Sequence, residues 1–416
     1  MPRLILLLYR ALIFIAVWPL CLAARNHPNF KGTLRQRLAW TLPPVPRGDL
    51  VWFHGASLGE VKALACLIAA VKARRPRAVV CLSAMTAAGR QAAAGLDGVD
   101  LILPMPFDAG WIMRRMLRHL ALWALVIAET EIWPELLLSA ADAGVPVVFA
   151  NARMTARSFE SYARFRRLFG AILARARVLA IAPEDAARFA ALGAAKAEVL
   201  GNLKLDGLRD VDVPRRDRLK AELVPPDARV FVAGSVREGE EGYVVNAIAQ
   251  ARAAVPELIA IVAPRHAESI ALIEELCDKA GLKRCRRSSV DTSAGVIIVD
   301  TVGELASLYG LAEVAFVGGS LIELGGQNIL EAVAWGVPVM HGSSMQNFEW
   351  ALEVVRPHTI TVPADFAPAL IGVLGAPGDY AAMAAAARQA LQAARGATER
   401  YLAAVLSVCK GLAPVD

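Results

Sequence analysis

The stretch AFVGGSLIELGGQNILEAVAWGVPVMHGSSMQNF, Ala315 to Phe348, reads as strand, glycine loop, helix and strand. Its β-branched and aromatic start ends in Gly318-Gly319-Ser320, and a second pair, Gly325-Gly326, opens a helical pattern carrying Asn328 and Glu331. Gly336-Val337-Pro338 then turns into the next strand. In a parallel α/β sheet the ligand sits at the carboxyl ends of the strands, where this loop lies. Glycines let the backbone approach a phosphate, and the free N–H groups of the following helix favour negative charge. Glu331 is unsuited to phosphate, so it is expected to accept hydrogen bonds from ribose hydroxyls. One glycine pair is equally well an ordinary tight turn; two pairs around a polar Asn and Glu favour the ligand.

Working outward, the same alternation of apolar run and helical pattern repeats on both sides. Residues 229–235, 258–266 and 295–300 precede the glycine loop as strands of one series. A separate series runs through 50–56, 78–84, LILPMPF, ALVIAET, VPVVFAN, VLAIAP and AEVLGN. Strands separated by helical crossovers make a parallel sheet, so an α/β chain with two Rossmann-like, doubly wound domains is expected. The boundaries predicted are 25–208 and 209–395, with the linker near Asp206–Pro214. A final helix, about Tyr380–Leu412, is expected to carry residues 396–416 back across to the first domain.

The chain's 416 residues suffice for two full cores, and 56% of them are hydrophobic. A mean hydropathy of +0.44 owes much to alanine-rich helices. The net charge of +6 fits an anionic substrate, an anionic membrane surface, or both. No basic run interleaves with stacking aromatics, which argues against nucleic acid. Six scattered cysteines without CxxC spacing read as reduced thiols and no zinc site.

Leu4 to Leu22 is almost wholly apolar and about long enough to span a bilayer. Arg25, Lys31, Arg35 and Arg37 follow, which places the remainder in the cytoplasm by the positive-inside tendency. Residues 1–24 are therefore expected to be an uncleaved anchor, spanning or monotopic, that contributes to neither core. Leu22-Ala23-Ala24 is loosely like a signal-peptide cleavage site, and Arg10 inside the segment speaks against that rival. Two basic amphipathic stretches, Trp111–Leu120 and Tyr162–Phe169, are either solvated helix faces or a surface resting on anionic lipid.

The loops after the strands hold the candidates for chemistry. The first domain offers His54, Ser57, Gly59 and Glu60, then Glu129, Thr130 and Glu131, then Asn151 and Arg153. Lys204 and Asp206 stand between the domains. The second domain offers Ser235, Arg237 and Glu238, then Arg265 and His266, then Thr301 and Glu304, and the loop Gly325-Gly326-Gln327-Asn328 with Glu331. Carboxylates dominate the first set and phosphate-binding groups the second, as for an acceptor activated on one domain and an anionic donor held on the other. Glu60 is the leading general base, although Ser57 and Glu60 also have the spacing of a helix capping box. HExxH, GxSxG, Walker and aspartate-rich metal motifs are missing, which disfavours a hydrolase triad or a metalloenzyme.

With these residues in place, the chain resembles the lipid A 3-deoxy-D-manno-octulosonic acid (Kdo) transferases of Gram-negative bacteria. HGASLGE (54–60), ETEIWPELL (129–137), NARMTARS (151–158), GNLKLD (201–206), AGSVREGEE (233–241), APRH (263–266) and GGSLIELGGQN follow in family order over nearly the whole length. The resemblance implies an inverting GT-B glycosyltransferase, two Rossmann-like domains facing a cleft, that moves Kdo from CMP-Kdo to a lipid A precursor without a metal or cofactor. It also implies the cytoplasmic face of the inner membrane. Glu60 would be the base, with Ser57, Gly59, Glu129, Glu131, Asn151 and Arg153 on the acceptor side. Lys204, Ser235, Arg265, His266 and Gly325 to Asn328 would hold CMP and its phosphate, and Glu331 the ribose. The family's GGHN reads here with Gln327, its LEP with Ala332, and its GPH turn as Gly342-Ser343-Ser344, so an altered donor contact is expected. Competition between CMP and UDP separates this reading from a GT-B enzyme using another nucleotide sugar. Nucleotide binding without turnover would instead mark a non-catalytic membrane-surface protein.

Overall fold

The computed structural model describes residues 2–409, so the last seven positions of the expected C-terminal helix segment lie outside the described residues. The chain forms two compact units, one holding the chain up to Gly207 and again from Arg395, the other Leu208–Ala394.

The first unit carries β1 (Leu50–His54), β2 (Val79–Ala84), β3 (Leu101–Pro104), β4 (Ala124–Ala128), β5 (Val147–Ala152), β6 (Ala176–Ala180) and β7 (Lys196–Val199). The second carries β8 (Arg229–Val236), β9 (Leu258–Pro264), β10 (Arg284–Arg286), β11 (Val296–Ile298), β12 (Val314–Val317), β13 (Val339–His341) and β14 (Ile360–Thr361). The sheet orders are β3-β2-β1-β4-β5-β6-β7 and β10-β11-β9-β8-β12-β13-β14, and the paired strands run parallel. Parallel strands are covered on both faces, which is why β1, β2 and β4 are buried at every position and read as unbroken apolar runs. The expected doubly wound architecture is present in both units. In the first sheet the strand order reverses between β1 and β4, in the second between β8 and β12. Ligands of doubly wound sheets bind outside the strand ends at such reversals.

Three expectations change. The long final helix is two, Pro377–Ala394 and Ala397–Val408, because Gly396 between them takes φ +85°. The second of these lies on the first sheet, where Tyr401 is buried and its hydroxyl donates to the Gly201 carbonyl at 2.9 Å. The stretch Tyr162–Phe169 is also broken, with one helix ending at Ala163 and the next beginning at Arg166. β10 and β14 were not anticipated: one is Arg-Cys-Arg, the other two residues long, and neither shows an apolar run.

The third change concerns the amino-terminal helix, Pro2–Ala24. It is long and apolar enough to cross a membrane, yet it is built into the first unit. Ile5, Leu6, Ile13, Val17 and Cys21 face the core, and Val17 is 2% exposed. Tyr9 donates to Asp108 at 2.6 Å, and Arg10 pairs with Glu135, which is buried. The expectation that this segment contributes to neither core is overturned, because the apolar run conceals a stripe at spacing four that packs inward. Deleting residues 2–24 should lower the melting temperature of the protein, since it strands the Glu135 carboxylate. Breaking a buried pair costs about 3–5 kcal/mol, and less here because the Arg10 side chain is 42% exposed. Adding Glu135→Gln to the truncation should recover part of the loss. An unchanged melting curve for the truncated protein would count against the docking.

Candidate functional site

At the reversal of the first sheet, the ends of β1 and β4 bring the acidic candidates together. β1 ends at His54, and Ser57 caps the helix Leu58–Arg74. The cap is reciprocal: Glu60 N–H donates to Ser57 Oγ at 3.3 Å, and the Glu60 carboxylate accepts from Ala56 N–H at 2.7 Å and Ser57 Oγ–H at 2.9 Å. Glu60 is therefore a fixed carboxylate in a variant of the capping box, in which it reaches back to the Ala56 N–H and the Ser57 hydroxyl rather than to the Ser57 N–H. Burial raises its pKa, against which the Ala56 and Ser57 hydrogen bonds act. Gly55 is needed for this geometry, since a Cβ there would stand 3.0 Å from Val61 N. Gly59 meets no such demand; a Cβ there would meet Ser57 Oγ at 3.9 Å, an ordinary contact.

From β4 come Glu129 and Glu131. Glu129 takes φ +53°, a left-handed conformation costly for a side chain of its kind, and its carboxylate pairs with Lys204 Nζ at 2.8 Å. Burial, with the Glu60 charge beside it, pushes Glu131 up to about 7. A carboxyl raised in this way stabilises the fold while it holds its proton. That contribution is complete below the ordinary glutamate range and is lost as pH rises through about 7. Glu131→Gln should flatten the fall in unfolding free energy, measured by urea denaturation between pH 5.5 and 8, by about 1–2 kcal/mol after allowing for partial exposure. Equal slopes in both proteins would reject the assignment.

Several candidates prove to be internal. His54 is fully buried beside the Ser83 hydroxyl, 2.8 Å from Nδ1, and burial lowers it to about 4. Asn151, at a register shift of β5 with φ +53°, is fully buried; its Oδ1 accepts from Leu203 N–H at 2.9 Å and so positions the neighbouring Lys204. Asp206 caps the returning helix, accepting from Gly396 and Thr398 N–H groups. Lys204, expected with the donor groups, lies in the first unit among the carboxylates. Arg153 is half-buried, and its charge is felt by Asp185.

In the second unit, β8 shifts register at Ser235, which takes φ +55°. Such a bulge re-aims one side chain at a strand end. The exposed Arg265 and His266 follow β9, and the Arg265 side chain makes no hydrogen bond or ion pair among the described residues. Glu331 is raised by burial, against the pull of Asn328 and the Arg265 and Arg209 charges. Only one of its oxygens has a partner among the described residues, Asn328 Nδ2 at 3.4 Å, which leaves acceptor capacity for a diol. Thr301 and Glu304 bond to one another, and Glu304 also pairs with Arg287.

The glycine loop differs from expectation. Its helix is only Leu330–Val333, so Asn328 precedes it and accepts from Leu330 N–H at 3.2 Å. The N–H groups of Gly325 and Gly326 are spent internally, on Ser344 Oγ at 2.9 Å and on the Gly319 carbonyl at 2.6 Å. Those of Gly319, Ser320 and Leu321 are spent on Glu240, which sequence reasoning had passed over. From Gly318 to Ile329, the backbone N–H groups left without a partner among the described residues are those of Ile322, Glu323, Gln327, Asn328 and Ile329, of which Gln327 and Asn328 directly follow the second glycine pair.

Two further residues take roles that the sequence does not suggest. Glu241 accepts from Gly239 N–H and from Ser269 Oγ, both at 2.7 Å, and so ties the loops after β8 and β9. Arg37 is fully buried and donates to the Met85 and Met105 carbonyls at 2.8 Å, while Met85 N–H reaches the Ala56 carbonyl at 3.2 Å. Arg37 thus steadies the backbone against which Glu60 is held.

On another side of the first unit the amino-terminal helix lies beside the basic helices Gly110–Leu120 and Arg166–Leu173. A groove of about 410 Å³ separates it from the first, lined by Leu7, Phe14, Trp111, Arg10 and Arg114 among others. Leu7, Leu8, Leu12, Phe14, Ile15 and Leu22 face outward and are exposed.

A family model described as 3-deoxy-D-manno-octulosonic-acid transferase (kdotransferase) matches residues 32–207. A 3-deoxy-D-manno-octulosonic acid transferase of Bordetella pertussis is 33% identical, covering 95% of this chain and 95% of its own. The chain belongs to the Kdo transferase family. Its relative from Haemophilus influenzae is 28% identical over 77% of each chain. These relationships make the protein a glycosyltransferase. In fold it is similar to a UDP-GlcNAc 2-epimerase from Neisseria meningitidis, with a TM-score of 0.58 at 14% identity over 87% of this chain and 100% of that one. A glycosyltransferase from Rickettsia africae is similar too, with a TM-score of 0.55 at 12% identity over 88% of this chain and 100% of that one. The GT-B architecture expected from the sequence is thereby supported in both units.

Proposed function

We propose that this family member transfers Kdo from CMP-Kdo to the lipid A precursor lipid IVA, with inversion and without a metal. The observation that carries the reading is the pairing of sites. A fixed carboxylate cluster stands at the strand reversal of one unit, and near the reversal of the other stand a cation and amides that have no partner among the described residues. Glu60 would take the proton from the acceptor hydroxyl as that oxygen attacks the anomeric carbon. Inversion needs one such base and no covalent intermediate. Lys204, bound to Glu129, offsets the crowding of negative charge beside it. In the second unit Arg265 and the Gln327 and Asn328 amides would bind the phosphate and stabilise the charge that develops as CMP leaves. Glu331 would accept from the ribose hydroxyls, and Ser235 and His266 would complete the donor contacts.

A second assignment of the base rests on one observation: Glu131, pushed up to about 7, is matched to proton transfer near neutrality. The amino-terminal helix would lie along the cytoplasmic face of the inner membrane as a monotopic anchor, with its exposed Leu, Ile and Phe side chains in the lipid and the two basic helices over anionic headgroups. The deciding experiment is the full chain with CMP-Kdo and lipid IVA in mixed micelles, with products read by mass spectrometry. Addition of Kdo with release of CMP is expected; turnover of another nucleotide sugar in its place would reject the donor.

A further inference from the structure

We propose that Glu240 determines how many phosphates the donor nucleotide carries, by filling an anion nest that a second phosphate would otherwise occupy. The inference rests on the assignment of the nucleotide to the second unit. Consecutive amides at the end of β12 converge on one point, a backbone arrangement that binds anions. Gly319 takes φ +69° to make it. The occupant is the Glu240 carboxylate. One oxygen accepts from Gly319 N–H at 2.6 Å and Arg237 N–H at 3.0 Å, the other from Ser320 and Leu321 N–H groups, both at 2.8 Å. Glu240 is 0% exposed, and a Cβ on Gly318 would stand 2.8 Å from its oxygen, so the loop is shaped around this carboxylate.

The filled nest borders the amides that remain available. A Cβ on Gly319 would lie 3.2 Å from Gln327 Cγ, and the Gly319 carbonyl accepts from Gly326 N–H. Gln327 and Asn328 follow directly, with Arg265 near enough to influence Glu331. One phosphate can be met by these groups. A second, reaching back along β12, would find its amides taken and a negative charge in place. Glu240 therefore acts as a resident substitute for the second phosphate, and the site selects a nucleoside monophosphate.

The test is calorimetric titration of the full-length protein with CMP, CDP, UMP and UDP. In the wild type each monophosphate should bind about tenfold or more tightly than its diphosphate, one charge repulsion being of that order. Diphosphates binding as tightly as monophosphates would overturn the proposal without any variant. Glu240→Ser empties the nest and should shift the preference about tenfold or more towards the diphosphates; Glu240→Gln, which keeps the volume and removes the charge, should shift it less. A folded variant of either kind with the wild-type preference would overturn it, and the glutamine variant decides if the serine one fails to fold. Preference for uridine over cytidine would reject the donor assignment while leaving the phosphate comparison to judge Glu240. Failure of the wild type to bind all four would remove both.

Discussion

Glu60→Gln should bind CMP almost normally and transfer Kdo about 10²–10⁴ times more slowly, the usual worth of a positioned base. The structure sharpens this expectation because Glu60 has two occupations. Its carboxylate closes a capping box with Ser57 and also accepts from Ala56 N–H. If capping were its whole task, the glutamine would cost about 0.5–2 kcal/mol of stability at most and leave turnover nearly intact. Rate at saturating donor and acceptor, alongside a melting curve, separates the two. A folded Glu60→Gln enzyme keeping more than about a tenth of wild-type turnover would sink the assignment. Glu131→Gln would then be assayed as the next base, with the acid limb of its pH profile compared with that of the wild type.

Arg265→Ala should weaken CMP binding about ten- to a hundredfold and depress turnover with it, since a charge-assisted hydrogen bond to phosphate is worth about 1.5–3 kcal/mol. The native side chain is exposed and has no internal hydrogen bond or ion pair among the described residues, so its loss should leave the fold intact. The Gly325 and Gly326 amides that the sequence suggests as phosphate ligands are engaged elsewhere, which leaves this cation to share the task with the Gln327 and Asn328 amides alone. Arg265→Lys should restore part of the affinity but not the two-pronged geometry of the guanidinium. Unaltered CMP affinity in the alanine variant would move Arg265 out of the donor site.

The inner strands of both sheets could be read from the sequence because parallel strands buried on two faces leave continuous apolar runs, as at Leu50–His54 and Ala124–Ala128, whereas the edge strands β10 and β14 carry no such run. The strand ends can be read as well, which is why Glu60, Glu129, Ser235 and Arg265 stand out in the sequence. What the sequence concealed is partnership over distance. Glu240 and Gly319 are 79 positions apart, Arg10 and Glu135 are 125 apart, and no local pattern joins them. An apolar run as long as Leu4–Leu22 also looks the same whether it enters lipid or packs one stripe on a protein. Only the inward spacing of Ile13, Val17 and Cys21 hints at the second.

The left-handed backbone at Glu129 and Ser235 bears on how this protein should be engineered. Each holds a side chain in a conformation that glycine adopts freely, at a cost of about 1–3 kcal/mol. A campaign scored on thermal endurance would therefore reward glycine at both positions, and so remove the carboxylate that faces Lys204 and the hydroxyl that ends β8. The gain in robustness and the loss of chemistry would come from the same two φ torsions. Selections on this scaffold need an activity gate in every round, because endurance by itself will drift towards an inert protein.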